Sequence, residues 1–186
     1  MNRNWVKWLS SWKLIILLAA CSLVAGGVYL GVSWRVYRIG FPLDDAWIHQ
    51  TYARSLAFTG QWDYFPGKPS AGSTSPLWSA LLAVGYWLKA APYTWTYFWG
   101  LISLTGIGYL GELIFRKYAN YPNKRFPWVG IFLVLEWHLV WSAFSGMETL
   151  LYCLFLLLFF MFISQDNVDW LGAGFVIGIS IWLRPD

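Results

Sequence analysis

Apolar residues in this chain fall into long runs separated by short polar breaks, a pattern that predicts helices rather than strands. Runs at about 14–34, 92–115, 126–146, 149–164 and 169–184 are each an expected membrane span. The last is thin, because Trp170 to Leu183 would tilt, thin the bilayer locally or rely on Arg184 snorkelling. Leu77 to Trp87 is too short to cross, and Lys89, Ala90, Ala91 and Pro92 break it, so it reads as an interfacial or re-entrant helix. The segment 35–75 is the one long polar loop. Within it, Trp47, Ile48, Tyr52 and Leu56 recur near a helical spacing while His49, Gln50 and Arg54 occupy other faces. That predicts an amphipathic helix over 46–59 lying along a membrane surface, ended by Gly60. Turn-rich sequence follows in Pro66-Gly67-Lys68-Pro69 and in 71–76. Neither a strand pattern nor an internal repeat is expected.

Composition turns this pattern into a class. Of 186 residues, 58% are hydrophobic and 12% charged, where soluble domains run near a quarter charged. The expectation is an all-α integral membrane protein with about five transmembrane helices, one outer amphipathic helix and one short re-entrant or interfacial helix. Net charge is +4, and its cations sit in clusters beside apolar runs, which suits membrane orientation and argues against a nucleic-acid partner. Cys21 and Cys153 both lie in apolar runs, with no disulfide or metal spacing. Leu18-Ala19-Ala20-Cys21 imitates a lipoprotein processing box, but the apolar run continues to Trp34, so an uncleaved anchor is expected.

Charge also sets the topology. If 77–87 does not cross, Arg116, Lys117, Lys124 and Arg125 share the inner side with Arg3, Lys7 and Lys13. Arg35 and Arg38 count mildly against this arrangement. Asp44-Asp45, Gly146-Met147-Glu148 and Arg184-Pro185-Asp186 then share the outer face, with the N-terminus cytoplasmic and the chain in a bacterial inner membrane.

These outer residues are the candidates for chemistry. Two adjacent carboxylates beside hydrocarbon carry a solvation cost. One carboxylate suffices to cap a helix or complement its dipole; the second could act as a general base or hold a divalent cation. Asp44 and Asp45 are therefore the catalytic candidates, set against a bland reading as helix-start acids. Glu148 has the same two readings, and Asp45 with Glu148 are the candidate metal ligands. Arg54, Lys68 and Arg184 are headgroup anchors individually, or together a counter-charge for phosphate. Glu136 and His138 lie inside a span, as packing or bundle-facing polar groups. The 15 Trp are mostly interfacial belt and bundle packing.

Asp44-Asp45-Ala46-x-Ile48-x-x-x-Tyr52-Ala53-Arg54-x-Leu56, then Gly60, Pro66-Gly67 and Gly72-x-Thr74-x-Pro76-Leu77-Trp78, resemble the first outer loop of GT-C membrane glycosyltransferases. The likeness is to enzymes similar to the mycobacterial terminal arabinofuranosyltransferase. Gly146-Met147-Glu148-Thr149 and Arg184-Pro185-Asp186 resemble later signposts, so the likeness runs from about residue 40 to the end. His49 and Gln50 stand where that pattern more often has an apolar or aromatic pair, and Ser73 and Ser75 where it has an aromatic and an amide. The resemblance implies a polyprenyl-phosphate-linked sugar donor, a glycan, lipid or protein acceptor, and inverting transfer at the outer face. It implies Asp44 as base on the acceptor hydroxyl, Asp45 as its support or a cation ligand, Glu148 lining the site, and Arg54 or Arg184 offsetting phosphate charge. Since such enzymes continue through many more spans, these residues are expected to form the N-terminal part of the module, with activity of this part alone left open. Two other classes stay open: a non-catalytic membrane subunit or truncated remnant, and a transporter or lipid flippase fragment working through Glu136 and His138.

Overall fold

The computed structural model describes residues 12–122 and 126–185; Arg3, Lys7, Lys124, Arg125 and Asp186 lie outside the described residues. The described chain is all-helical apart from one minimal hairpin. In order, it forms α1 (Trp12–Val36), α2 (Asp44–Thr59), β1 (Asp63–Phe65), β2 (Lys68–Pro69), α3 (Pro76–Trp87), α4 (Pro92–Tyr118), α5 (Trp128–Leu135), α6 (Trp137–Ala143), α7 (Thr149–Ile163) and α8 (Trp170–Leu183). Helices α1 and α4, of 25 and 27 residues, are long and apolar enough to cross a membrane. Much of α1 faces outward, with Ile16, Leu23, Val24 and Val28 exposed.

Prolines start three helices from outside. Pro76 and Pro92 sit in the first turns of α3 and α4, where a missing N–H costs nothing, and Pro127 precedes α5. Helix α2 ends on Gly60 at φ +69, as its sequence foretells.

The expected single helix over 126–146 is broken. Glu136 adopts an extended backbone (φ −65°, ψ 126°), and its Oε2 accepts from the Leu139 N–H at 2.9 Å, so it caps α6. A capping carboxylate competes with helix continuation, which an apolar-run count does not register. The expectation of no strand is also corrected. Pro66-Gly67, with Gly67 at φ +76, turns a hairpin pairing Phe65 with Lys68. Its three- and two-residue strands are too short to carry an alternating pattern. Asp63 fastens it: this buried carboxylate accepts from the Ser55 hydroxyl of α2 and, at 2.8 Å, from the Gly67 N–H.

Helix α4 is the central post, packing against α1, α5, α6 and α7. Gly100 permits the closest approach: a Cβ there would lie 1.9 Å from the Ala143 carbonyl oxygen at the end of α6. Small residues that let backbones touch are how apolar helices associate where no water is expelled. Toward the other end of α4, the fully buried Glu112 binds Arg116 and accepts from the Gly130 N–H of α5 at 2.9 Å. Arg116 Nη1 in turn donates to the Pro122 carbonyl at 3.1 Å, and Lys117 Nζ donates to the Ser164 carbonyl after α7. The 116–122 turn and the end of α7 therefore share one end of the bundle.

Gly100→Ala should lower stability by about 2 kcal/mol, the overpacking range. Gly31→Ala, on an open face of α1 with nothing within 4 Å, should instead raise it by about 0.5–1 kcal/mol, the helix-propensity gain. Thermal unfolding in detergent checks both, and equal midpoints would refute the close α4–α6 contact.

Candidate active site

The opposite end of the bundle gathers α2, α3 and the turn between α6 and α7. Asp44 and Asp45 occupy the first turn of α2 and are exposed. The N-cap is Leu43, and no side chain caps the helix, so both acids complement the dipole without closing an amide. Capping, the bland reading of this pair, is not made as a hydrogen bond.

The face that α2 buries differs from the expected one. Ala46, His49, Gln50, Tyr52 and Ala53 point inward, whereas Trp47 is 45% exposed. Two polar side chains lie in the seam because both find partners there. Gln50 Nε2 donates to Thr96 Oγ1 at 2.9 Å and its Oε1 accepts from the Tyr86 hydroxyl at 2.9 Å, tying α2 to α4 and α3. His49 Nδ1 lies 3.3 Å from Ser73 Oγ and 3.2 Å from Ser79 Oγ, which are 2.9 Å from each other.

Glu148 reaches this seam from the other side. It is 3% exposed at the start of α7, not in open water, and its Oε2 lies 3.5 Å from His49 Nε2. Gly146 makes the approach, because its φ of +88 suits glycine and an added Cβ would sit 2.7 Å from Ala46 Cβ and from the Phe41 ring. The Gly146 carbonyl accepts from Trp78 Nε1 at 3.0 Å. The turn carrying Glu148 therefore rests on the first turn of the helix that Asp44 and Asp45 open.

Burial pushes the His49 pKa down to about 4, outweighing the nearby Asp45 charge, which raises it. The ring is neutral at pH 7. Its contact with Glu148 is then a ring nitrogen facing a carboxylate, at a length beyond a formed hydrogen bond, and not an ion pair. Serine, histidine and glutamate in sequence suggest a nucleophile relay, but Ser79 is fully buried and Ser73 8% exposed, which leaves a substrate carbonyl no approach.

The remaining candidates are scattered. Arg54 is exposed ten residues along α2 from Asp44, about 15 Å at helical rise. It lines a cavity of about 170 Å³ with Thr51, Ser55, Phe58 and Tyr64. Lys68 is exposed on β2. Arg184 is exposed just after Leu183, whose buried side chain packs with Ala53, Trp78 and Leu151 at the Asp44 end. Among the described residues, no group of three or more His, Cys, Asp or Glu converges around Asp45 and Glu148. Glu136 and His138 pair with each other at 2.7 Å, with the His138 side chain 88% exposed, and so do not line an interior path.

Two features escaped the sequence reading. His49 and Gln50 were placed off the buried face, although a polar pair one turn beyond two aspartates was a usable signal. The other is a groove of about 630 Å³ lined by Tyr29, Val32, Phe41, Trp137 and Trp141, with Arg38 supplying positive charge. Pro42, two residues before Asp44, also lines it. No family model matches the chain, and no curated protein or solved structure matches it.

Acid should destabilise the fold through His49. The unfolded ring takes up a proton near pH 6.5 and the folded ring near 4, so stability is complete above about 6.5 and falls as pH drops through that window. The loss approaches about 3 kcal/mol. His49→Gln should flatten the slope in thermal unfolding from pH 7.5 to 4.5; identical slopes would contradict a neutral buried ring.

Proposed function

We propose that this chain is the N-terminal part of a GT-C-type membrane glycosyltransferase that moves a sugar from a polyprenyl-phosphate donor to an envelope acceptor. The observation that carries the reading is the seat of the Gly146–Glu148 turn on the first turn of α2, which joins the two strongest signposts of the resemblance. The groove beside Phe41 supports it further, since an apolar trough with Arg38 suits a prenyl chain and its phosphate. In this reading Arg38 takes the phosphate role that the resemblance gives to Arg54 or Arg184.

In the reaction, the acceptor hydroxyl gives its proton to Asp44 as its oxygen bonds to the anomeric carbon. The bond from that carbon to the phosphate oxygen breaks, and polyprenyl phosphate leaves with the electron pair, inverting the centre. Asp45, the adjacent carboxylate, supports Asp44 in holding the acceptor. A sugar phosphate already carries a good leaving group, so alignment, a base and a counter-charge suffice. No step is routed through a cation.

The membrane arrangement is part of the proposal. Besides α1 and α4, the shorter apolar helices α7 and α8 and the broken pair α5–α6 cross, giving five passes. Helices α2 and α3 lie at the outer end.

Asp44→Asn in the full-length protein should abolish sugar transfer, at least a thousandfold at the roughly 4 kcal/mol scale of a lost base, with membrane insertion intact. Unchanged turnover would refute the base assignment. With Cys21 and Cys153 replaced by serine, Asp44→Cys and Asp166→Cys should label from opposite sides of sealed vesicles. Labelling from one side would overturn the five-pass arrangement.

A further inference from the structure

We propose that His49 is a positioning residue of this site, its imidazole holding the Glu148 carboxylate against the helix that Asp44 and Asp45 open. What the site does rests on the glycosyltransferase reading; how it is held rests on the geometry around one ring.

Three separate segments converge on that ring. Helix α2 brings His49 itself, one turn after Asp45. The segment leading into α3, with α3, brings Ser73 and Ser79 to Nδ1. The start of α7 brings Glu148 to Nε2. The ring is 1% exposed, so these neighbours and not water determine its state. A proton on Nε2 faces that carboxylate at 3.5 Å, where a small turn of either side chain closes the hydrogen bond. Nδ1 is then the acceptor, and the two hydroxyls donate to it or to each other. The neighbours thus assign one tautomer and one ring orientation.

Ser73 is itself delivered by a built contact. The Tyr52 hydroxyl, one turn further along α2, lies 2.6 Å from Ser70 Oγ and accepts from the Gly72 N–H at 2.8 Å. The loop is therefore pinned to α2 on both sides of Ala71. A neutral imidazole with its proton on Nε2 still offers Glu148 a donor. The acidic residues facing the ring are Asp45 from α2 and Glu148 from α7.

The chain has 2 histidines, so His138→Gln leaves His49 as the sole imidazole. In the full chain with ¹⁵N-labelled histidine, in lipid nanodiscs at pH 7, NMR should show a single tautomer with Nε2 protonated. Glu148→Gln should move the Nε2 resonance, and Ser73→Ala with Ser79→Ala should move Nδ1. A mixture of tautomers, or an Nε2 resonance indifferent to Glu148→Gln, overturns the proposal. In the full-length transferase, His49→Leu should lower kcat by about ten- to a hundredfold, the range for loss of an orienting partner. His49→Gln, which keeps an N–H donor, should recover most of that. Turnover unchanged in His49→Leu would also overturn it. If the resonances behave as stated while the unsubstituted protein transfers no sugar, the positioning role stands and the transferase reading fails.

Discussion

Taking a carboxylate out of water among helices costs several kcal/mol unless donors meet it, and that constraint organises both ends of this bundle. At one end Glu148 is buried where α7 begins, and α2, α3 and the α6–α7 turn meet there with His49 Nε2 facing it at 3.5 Å. His49 in turn requires Ser73 and Ser79, and Ser73 requires the loop that Tyr52 pins. One buried acid thereby fixes the relative placement of three segments far apart in sequence. At the other end Glu112 does the same with Arg116 and the start of α5.

Between these polar ends the helices are held by contact. Apolar side chains on α1 and α4 gain little from meeting each other if their surroundings are equally apolar, so close approach has to supply the attraction. Gly100 against Ala143 allows backbone to meet backbone, and Gly146 lets its turn rest on the Ala46 methyl and the Phe41 ring at the site. The second contact matters for function: a side chain at 146 would lift the Glu148 turn off α2 and separate it from Asp44 and Asp45.

Helix positions were legible because apolar runs bounded by proline, glycine and charge mark them directly. Those at α1, α4, α7 and α8 match the expected spans to within a few residues. The break at Glu136 was not legible, since whether a lone acid in an apolar run faces outward or caps the next turn depends on its backbone. Nor was the buried face of α2. Judged by side-chain polarity, His49 and Gln50 belong outside and Trp47 inside; the partners that reverse this, Ser73, Ser79, Thr96 and Tyr86, arrive from 24 to 46 positions away. Two of the four places where the chain departs from the resembled pattern, His49 and Ser73, prove to touch.

Local chemistry thus determined what each segment would become: helices where apolar residues run unbroken, a turn at Pro66-Gly67, two acids opening α2. Tertiary structure decided which of the polar residues are neighbours. Periodicity reports the face a residue occupies on its own helix, whereas the energy of burying a polar group is set by whatever donor or acceptor another segment brings to it. That is why Glu148 joined the Asp44 end of the bundle, why Arg54 and Lys68 stand apart from it, and why the histidine at the centre went unread.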